Sequence, residues 1–299
     1  RLPATPGRPG KAGQEGHVRG RGNASMNRPE ENGSRPATPG AGKRELPDLF
    51  AWPDGRRVAT REEWAARRQA WLETIVDVEY GGLPPGPTAL DVETLCRGSI
   101  RSLPGNPGHR TCRINCEGGE RPFSFCARLV FPRSPDPLPA IATGDACWWW
   151  CPRRTTIEKV LQRGYALAIF NRTEMAADLG HADCPDKTRR AGGLYDVYPG
   201  LSFGALAAWA WGYHRCVDFL LTMPFIDARR IAVSGHSRGG KTTLLAGATD
   251  ERIAVVNDNA SGAGGSAVFR HAGDGAETLK TIVETFPSWF GPAFRAYAG

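Results

Sequence analysis

Gly235-His236-Ser237-Arg238-Gly239-Gly240-Lys241-Thr242 fits two unrelated catalytic templates, and the choice between them decides the fold. Read as G-x-S-x-G, residues 235–239 form a nucleophile elbow, where a serine sits on a tight strand-to-helix turn that only small neighbours permit. Read as G-x-x-x-x-G-K-[ST], residues 235–242 form a phosphate-cradling loop whose Lys241 would neutralise a nucleotide. Both readings want a buried strand before and a helix after, which residues 230–234 and 242–248 supply. Position separates them. A phosphate loop usually follows the first strand of its domain, whereas several strand-like runs and a long helix precede this motif. Arg238 is bulky for a phosphate loop, but its backbone N–H and guanidinium suit a developing oxyanion. The only candidate for an acidic magnesium partner, Ile253-Ala254-Val255-Val256-Asn257-Asp258, is interrupted by Asn257. The elbow is the better reading; the phosphate loop remains its rival.

Bulk properties narrow the rest. At 299 residues and 40% apolar content the chain can bury a real core. The net charge is +7, yet residues 1–45 hold nine Lys/Arg against four Asp/Glu, so the folded remainder carries only +2. No basic stripe with interleaved aromatics marks a nucleic-acid surface. No stretch is apolar for the ~20 residues a membrane helix needs, so neither nucleic acid nor membrane is expected as a partner. Residues 1–45, with Pro3-Ala4-Thr5-Pro6-Gly7 repeated as Pro36-Ala37-Thr38-Pro39-Gly40, are expected to be a disordered Gly/Pro/Arg-rich tail without a signal peptide. The eight cysteines contain no Cys-x-x-Cys pair, which argues against a structural zinc site. Cys116 and Cys126 flank a turn and are candidates to face each other across a hairpin, while Cys147 and Cys151 share one loop. Buried reduced thiols fit as well as disulfides.

The pattern along the chain predicts an α/β domain. Thr60-Arg61-Glu62-Glu63 opens a helix over residues 61–78 with Trp64, Trp71, Leu72, Ile75 and Val76 on one face. Hairpin-forming strands follow at 91–96, 110–116, 124–131 and 139–143. Helix 156–163, strand 165–170, helix 203–222, strand 231–234, helix 242–248 and strand 253–257 then alternate, the signature of parallel strands with helical crossovers. Such sheets carry function at the carboxyl ends of their strands, where Ser237 falls. The irregular stretch 171–201, with Arg172, Glu174 and His181, has a length that usually shapes a site. Trp148-Trp149-Trp150 are either a stacking surface near the nucleophile or rim packing.

Several segments together resemble the glucuronoyl esterases, carbohydrate esterase family 15, in their bacterial form. They are Phe50-Ala51-Trp52-Pro53-Asp54-Gly55 with Arg61 to Trp64 and Arg67-Arg68, Tyr80-Gly81-Gly82-Leu83-Pro84, and Gly204-Ala205 through Trp209-Ala210-Trp211-Gly212 to Asp218. Next come Arg230-Ile231-Ala232-Val233 with the serine motif, whose Arg and Lys are more distinctive than G-x-S-x-G, and Asp250-Glu251-Arg252. Ser261-Gly262-Ala263-Gly264-Gly265, Glu277-Thr278 and Phe286-Pro287-Ser288-Trp289-Phe290 complete a likeness nearly unbroken from about 46 to 299.

The resemblance implies an α/β-hydrolase three-layer sandwich with a mostly parallel sheet, spanning 46–299 and incomplete at its C-terminus. It also implies a serine carboxylic-ester hydrolase without cofactor or metal, acting on glucuronate esters of the xylan–lignin type. A glucuronate-bearing polysaccharide or a small ester is the expected partner, in a secreted or periplasmic setting. Carried over residue by residue, Ser237 is the nucleophile, Arg238 stabilises the oxyanion, and Lys241, Glu277 and Trp289 bind substrate. Fungal relatives carry the triad acid at the position of Ala260 here, so the acid is expected elsewhere. The catalytic histidine follows the acid in this fold, which places both beyond Gly299 and leaves the chain with little esterase activity on its own. His271 lies in a Gly-rich connection, and His181, His214 and His236 come in the wrong order. Arg238 and Lys241 offer two cations beside the serine, which favours a uronate over acetate. An acetyl xylan esterase-like hydrolase, a nucleotide-binding protein and an inactive hydrolase fragment are the alternatives. Limited proteolysis is expected to trim residues 1–45 and spare the remainder, with fragment masses as the readout.

Overall fold

The computed structural model describes residues 46–147, 152–180, 184–271 and 275–298. The tail over residues 1–45, Trp148–Trp150, Cys151 and His181 fall outside them. Helix α1 (Arg61–Tyr80) starts where the Thr60 side chain accepts the Glu63 amide, and stops where Gly81 takes a left-handed φ of 71°. Its apolar face is only partly covered, with Ile75 left 44% exposed. Its start is tied to the preceding loop by Arg67, whose guanidinium lies over Trp52 at 5.5 Å and over Trp71 of the same helix at 4.4 Å, and its end by bonds to the Glu79 and Tyr80 carbonyls.

Strands β1 (Ala89–Ser99), β2 (Gly108–Glu117), β3 (Phe123–Phe131), β4 (Leu138–Thr143), β5 (Ala166–Phe170), β6 (Ile226–His236) and β7 (Val255–Asn259) form one sheet in the order β1-β2-β3-β5-β4-β6-β7. It is parallel from β5 through β4 and β6 to β7, and antiparallel across β1, β2, β3 and β5. The two halves differ in pattern for a physical reason. β5 is buried at every residue, as a strand covered on both faces must be. β3 turns Phe125, Ala127 and Leu129 inward between the outward-facing Ser124, Cys126 and Arg128. Register also corrects the expected cysteine pairing. Cys116 stands opposite Phe123 and Cys126 opposite Arg113, so one thiol is buried and the other exposed on the far face. All seven described cysteines carry free thiols.

Helices α2 (Arg154–Gln162), α3 (Leu194–Val197), α4 (Ala205–Leu221), α5 (Arg238–Thr249) and α6 (Leu279–Thr285) complete the domain. α4 is buried almost all round, as befits the centre of the core. It spends the polar atoms of its large aromatics inside that core. Trp209 Nε1 donates to the Ala176 carbonyl at 2.8 Å, Trp211 Nε1 to Pro85 at 2.7 Å, and the Tyr213 hydroxyl to Ser234 at 3.0 Å. With α5 it covers the face of β6 that carries Ile231 and Val233. No helix among the described residues is long and apolar enough to cross a membrane.

The helix expected at 242–248 begins four residues sooner, directly after Ser237. Two glycines in its first turn lower intrinsic helix propensity, which hid the start. Packing demands them. A Cβ on Gly239 would run into the Asp145 carboxylate, and one on Gly240 would stand 3.1 Å from both the Asn259 carbonyl and Ser261 Cβ.

Tyr213 ties the ends of β4 and β6 together, since its hydroxyl accepts the Gly144 amide at 2.8 Å while donating to Ser234. Tyr213→Phe leaves a buried donor and a buried acceptor unmade, a loss of about 1–3 kcal/mol. Denaturant titration of the two proteins checks this, the expectation being a lower midpoint at unchanged slope.

Candidate active site

Ser237 directly follows β6 with φ 55° and ψ −118°, a left-handed conformation that a non-glycine residue holds at a cost on the order of 1–3 kcal/mol. Its surroundings fix it there. The His236 amide donates to Asp145 Oδ2 at 2.8 Å, and the Ser237 amide donates to the Asn259 carbonyl at 2.8 Å, so the ends of β4 and β7 grip the turn from two sides. A side chain on Gly235 would collide with the Gly239 backbone, which is why the elbow has glycine two places either side of its serine. The amide of Arg238, first in α5, has no intrahelical acceptor, as for any residue in the first turn of a helix.

Asp145 is a residue that sequence reasoning missed. It stands two residues past the end of β4 and is 5% exposed. Besides the His236 amide it holds Arg172, which is 1% exposed and lies over Trp209 at 5.1 Å. An acid just past a parallel strand is the signal the sequence offers for it.

Of the expected substrate-side residues, Trp289 packs directly against Arg238. Arg238 Nη1 is 2.8 Å from Asp178 Oδ2, and its guanidinium lies over the Trp289 ring at 4.7 Å. Trp289 donates Nε1 to Asp178 Oδ1 at 3.2 Å and stacks on Phe286 at 3.8 Å. Being 2% exposed, Trp289 is a floor for Arg238 and presents almost no open ring. Lys241 is 3% exposed, and its ammonium donates to the Ser261 carbonyl and, at 2.5 Å, to the Ala263 carbonyl. Two of its three N–H groups are therefore engaged. That arrangement weighs against the phosphate-loop reading, in which the ammonium is given over to phosphate oxygens and not to two backbone carbonyls. Both of the cations expected beside the serine are therefore met by acceptors. Glu277 is exposed, just before the Thr278 cap of α6, and close enough to Lys241 to favour its charged form.

The side-chain bonds of His214 lead away from the serine. His214 is held by the Ala246 carbonyl at 3.2 Å and the Thr249 hydroxyl at 3.1 Å, under the end of α5. His271 ends a short 3-10 turn over Phe269–His271. Ala260, at the position of the fungal acid, has φ 53°. No cluster of His, Cys, Asp or Glu suited to a metal occurs among the described residues. Across the sheet from α5, a groove of about 910 Å³ adjoins the elbow. It is floored by Ala232, Ser234, Val255 and Asn257 and flanked by Lys159 of α2 and by Arg163 just past that helix.

Glu79, on the last turn of α1, was also missed, since nothing in a helix-terminal glutamate distinguishes it. Burial pushes its carboxyl from 4.5 up to about 7, against the opposing pull of the Tyr80 hydroxyl and Lys241. Burial likewise pushes Lys241 down, with Glu277 and Glu79 opposing. Because the folded form holds the Glu79 proton more tightly than the unfolded form, stability is greatest below pH 4.5 for this group. It is lost as pH rises through about 7. The effect amounts to about 3 kcal/mol at most. Denaturant unfolding at pH 5 and pH 8 should show the wild type losing stability relative to Glu79→Gln over that interval; parallel curves would remove the assignment.

Known proteins match this geometry. A family profile described as "Glucuronyl esterase, fungi" matches residues 114–299. The 4-O-methyl-glucuronoyl methylesterase of Hypocrea jecorina is 32% identical over 263 residues, covering 85% of this chain and 51% of its own length. A carbohydrate esterase family 15 glucuronoyl esterase from Teredinibacter turnerae superposes with a TM-score of 0.72 at 27% identity, covering 85% of this chain and 65% of that one. The glucuronoyl esterase of Sporotrichum thermophile, solved as a variant in complex with methyl 4-O-methyl-β-D-glucopyranuronate, gives 0.66 at 28% identity, covering 85% and 64%. The chain thus spans about half the length of the curated relative it matches. With the serine elbow, the Arg and Lys that follow it, and a profile match over more than half its length, this chain belongs to the glucuronoyl esterase family and has that family's α/β-hydrolase fold.

Proposed function

We propose that the protein carrying this chain hydrolyses uronate esters through Ser237. The observation that carries the reading is the pairing of a strained, elbow-held serine with an arginine directly after it, fixed by Asp178 and Trp289. Ser237 Oγ attacks the ester carbonyl carbon and its proton passes to a base. The Arg238 amide and guanidinium stabilise the tetrahedral oxyanion, the alcohol leaves, and water releases the acid from the acyl-enzyme. The base is proposed to be a histidine oriented by an acid, following the serine in the chain order of this fold.

Substrate recognition is proposed to rest on Lys241 and Glu277, with Trp289 acting through Arg238. One Lys241 N–H remains for a sugar hydroxyl, and Glu277 supplies an exposed acceptor nearby. A glucuronate ester fits better than an acetyl group, because acetate has no hydroxyls for these groups to hold. The names of the matched relatives, and the methyl glucuronate bound to one of them, support the same substrate class. A secreted or periplasmic setting, where such polysaccharide esters would be met, is proposed with it.

The protein carrying this chain should hydrolyse methyl 4-O-methyl-glucuronate faster than acetylated xylan. Ser237→Ala should abolish turnover, and Arg238→Ala should lower kcat by roughly 10²–10³. Faster release of acetate than of methanol would replace the uronate reading with an acetyl esterase.

A further inference from the structure

Asp178 lies in the irregular stretch between β5 and α4 and meets two groups at once. Oδ2 pairs with Arg238 Nη1 at 2.8 Å, and Oδ1 accepts Trp289 Nε1 at 3.2 Å and, weakly, the Gly180 amide at 3.4 Å. The Asp178 side chain is 10% exposed and that of Arg238 22%, so the pair is shielded on most sides. Gly180 runs so close over it that a Cβ there would stand 2.5 Å from the Phe286 ring and 3.4 Å from Arg238 Nη1. The cation next to the nucleophile is thus clamped from above by backbone, from below by Trp289, and neutralised from the side. Lys241, the second cation, faces two backbone carbonyls and feels the negative charge of Glu277. The acid side of the site is therefore rich in N–H donors yet close to neutral in charge.

That combination has a chemical consequence. A uronate ester is neutral at the reacting carbonyl, whereas the acid that hydrolysis leaves is an anion. An unpaired guanidinium and ammonium would hold the anion far more tightly than the ester. We propose that Asp178 is a specificity-determining positioning residue: by cancelling the charge of Arg238 while fixing its N–H groups, it lets the pocket accept the neutral ester and release the free carboxylate. This rests on the reading of Ser237 as the nucleophile of a uronate esterase. Asp178 touches Arg238, not substrate, and acts through it.

Binding measures this without turnover. In the Ser237→Ala chain, calorimetry or ligand-observed NMR should give a lower Kd for methyl glucuronate than for glucuronate. Glucuronate binding should vary little with salt between low and roughly physiological ionic strength, where a net positive site would be strongly screened. Adding Asp178→Asn should shift the ratio of the two affinities toward glucuronate by about tenfold, with glucuronate binding now weakened by salt. Asp178→Glu, which keeps the charge, should leave the ratio unchanged. Equal weakening of both ligands by Asp178→Asn would make Asp178 a scaffold residue and overturn the proposal. A steep salt dependence in the Ser237→Ala chain would overturn it without any change at position 178. Failure of that chain to bind either ligand would instead remove the esterase reading, and this proposal with it.

Discussion

The buried pair of Asp145 and Arg172 is the constraint on which the site is built. Asp145 caps the end of β4 and reaches across to the next strand, where it takes the His236 amide and abuts Gly239. Arg172, rooted just beyond β5, reaches back to the same carboxylate. Three neighbouring parallel strands are thereby locked at their carboxyl ends around one side chain. A buried ion pair is weak evidence of net stability, because desolvation offsets most of its Coulomb gain. Its value here is geometric. Removing one partner strands a charge in the core, at about 3–5 kcal/mol, so the strand ends cannot drift without a large loss.

That rigidity is what the serine requires. A residue with φ 55° relaxes to an ordinary conformation unless its neighbours over-determine it. The amides of His236 and Ser237 are claimed by Asp145, just past β4, and by Asn259 of β7, and the glycines at 235, 239 and 240 allow strand and helix to approach within backbone contact. A second junction does the same at longer range. Gly204 and Gly81 bring the start of α4 and the end of α1 against residues 288–291, through bonds from Ala205 to the Ser288 carbonyl and from Gly291 to the Glu79 carbonyl, both 2.8 Å. Those bonds seat Trp289, which seats Arg238. The core helix, the N-terminal helix and the reactive turn are one mechanical chain.

How much of this the sequence disclosed follows from the range of the forces involved. Alternation in β3, the unbroken apolar run of β5 and the Thr60 cap are local signals, and each element was found within a few residues of its observed span. The serine was legible because an elbow imposes glycines at fixed spacing. The start of α5 was not, because Gly239 and Gly240 are there to clear Asp145 and Asn259, residues distant in sequence. Asp145, Asp178 and Glu79 escaped for the same reason: a carboxylate reads as solvated surface until the partner that buries it is known. The cysteine pair failed on parity, since Cys126 lies three residues past the partner of Cys116 and so faces the other side.

The charges around the serine show why residue types alone mislead at a site. Arg238 and Lys241 look like an anion trap when read along the chain. In space each is met by acceptors, one by a carboxylate and an indole-anchored clamp, the other by two carbonyls at the loop after β7. An esterase has reason to prefer donors whose charge is already answered. Its transition state carries a localised oxyanion that fixed N–H groups stabilise at short range, whereas its product spreads charge over a carboxylate that a bare cation would retain. On the proposed reading, catalytic strength comes from the direction of the donors, which the Asp145 frame and the Trp289 floor hold constant, rather than from the net charge of the pocket.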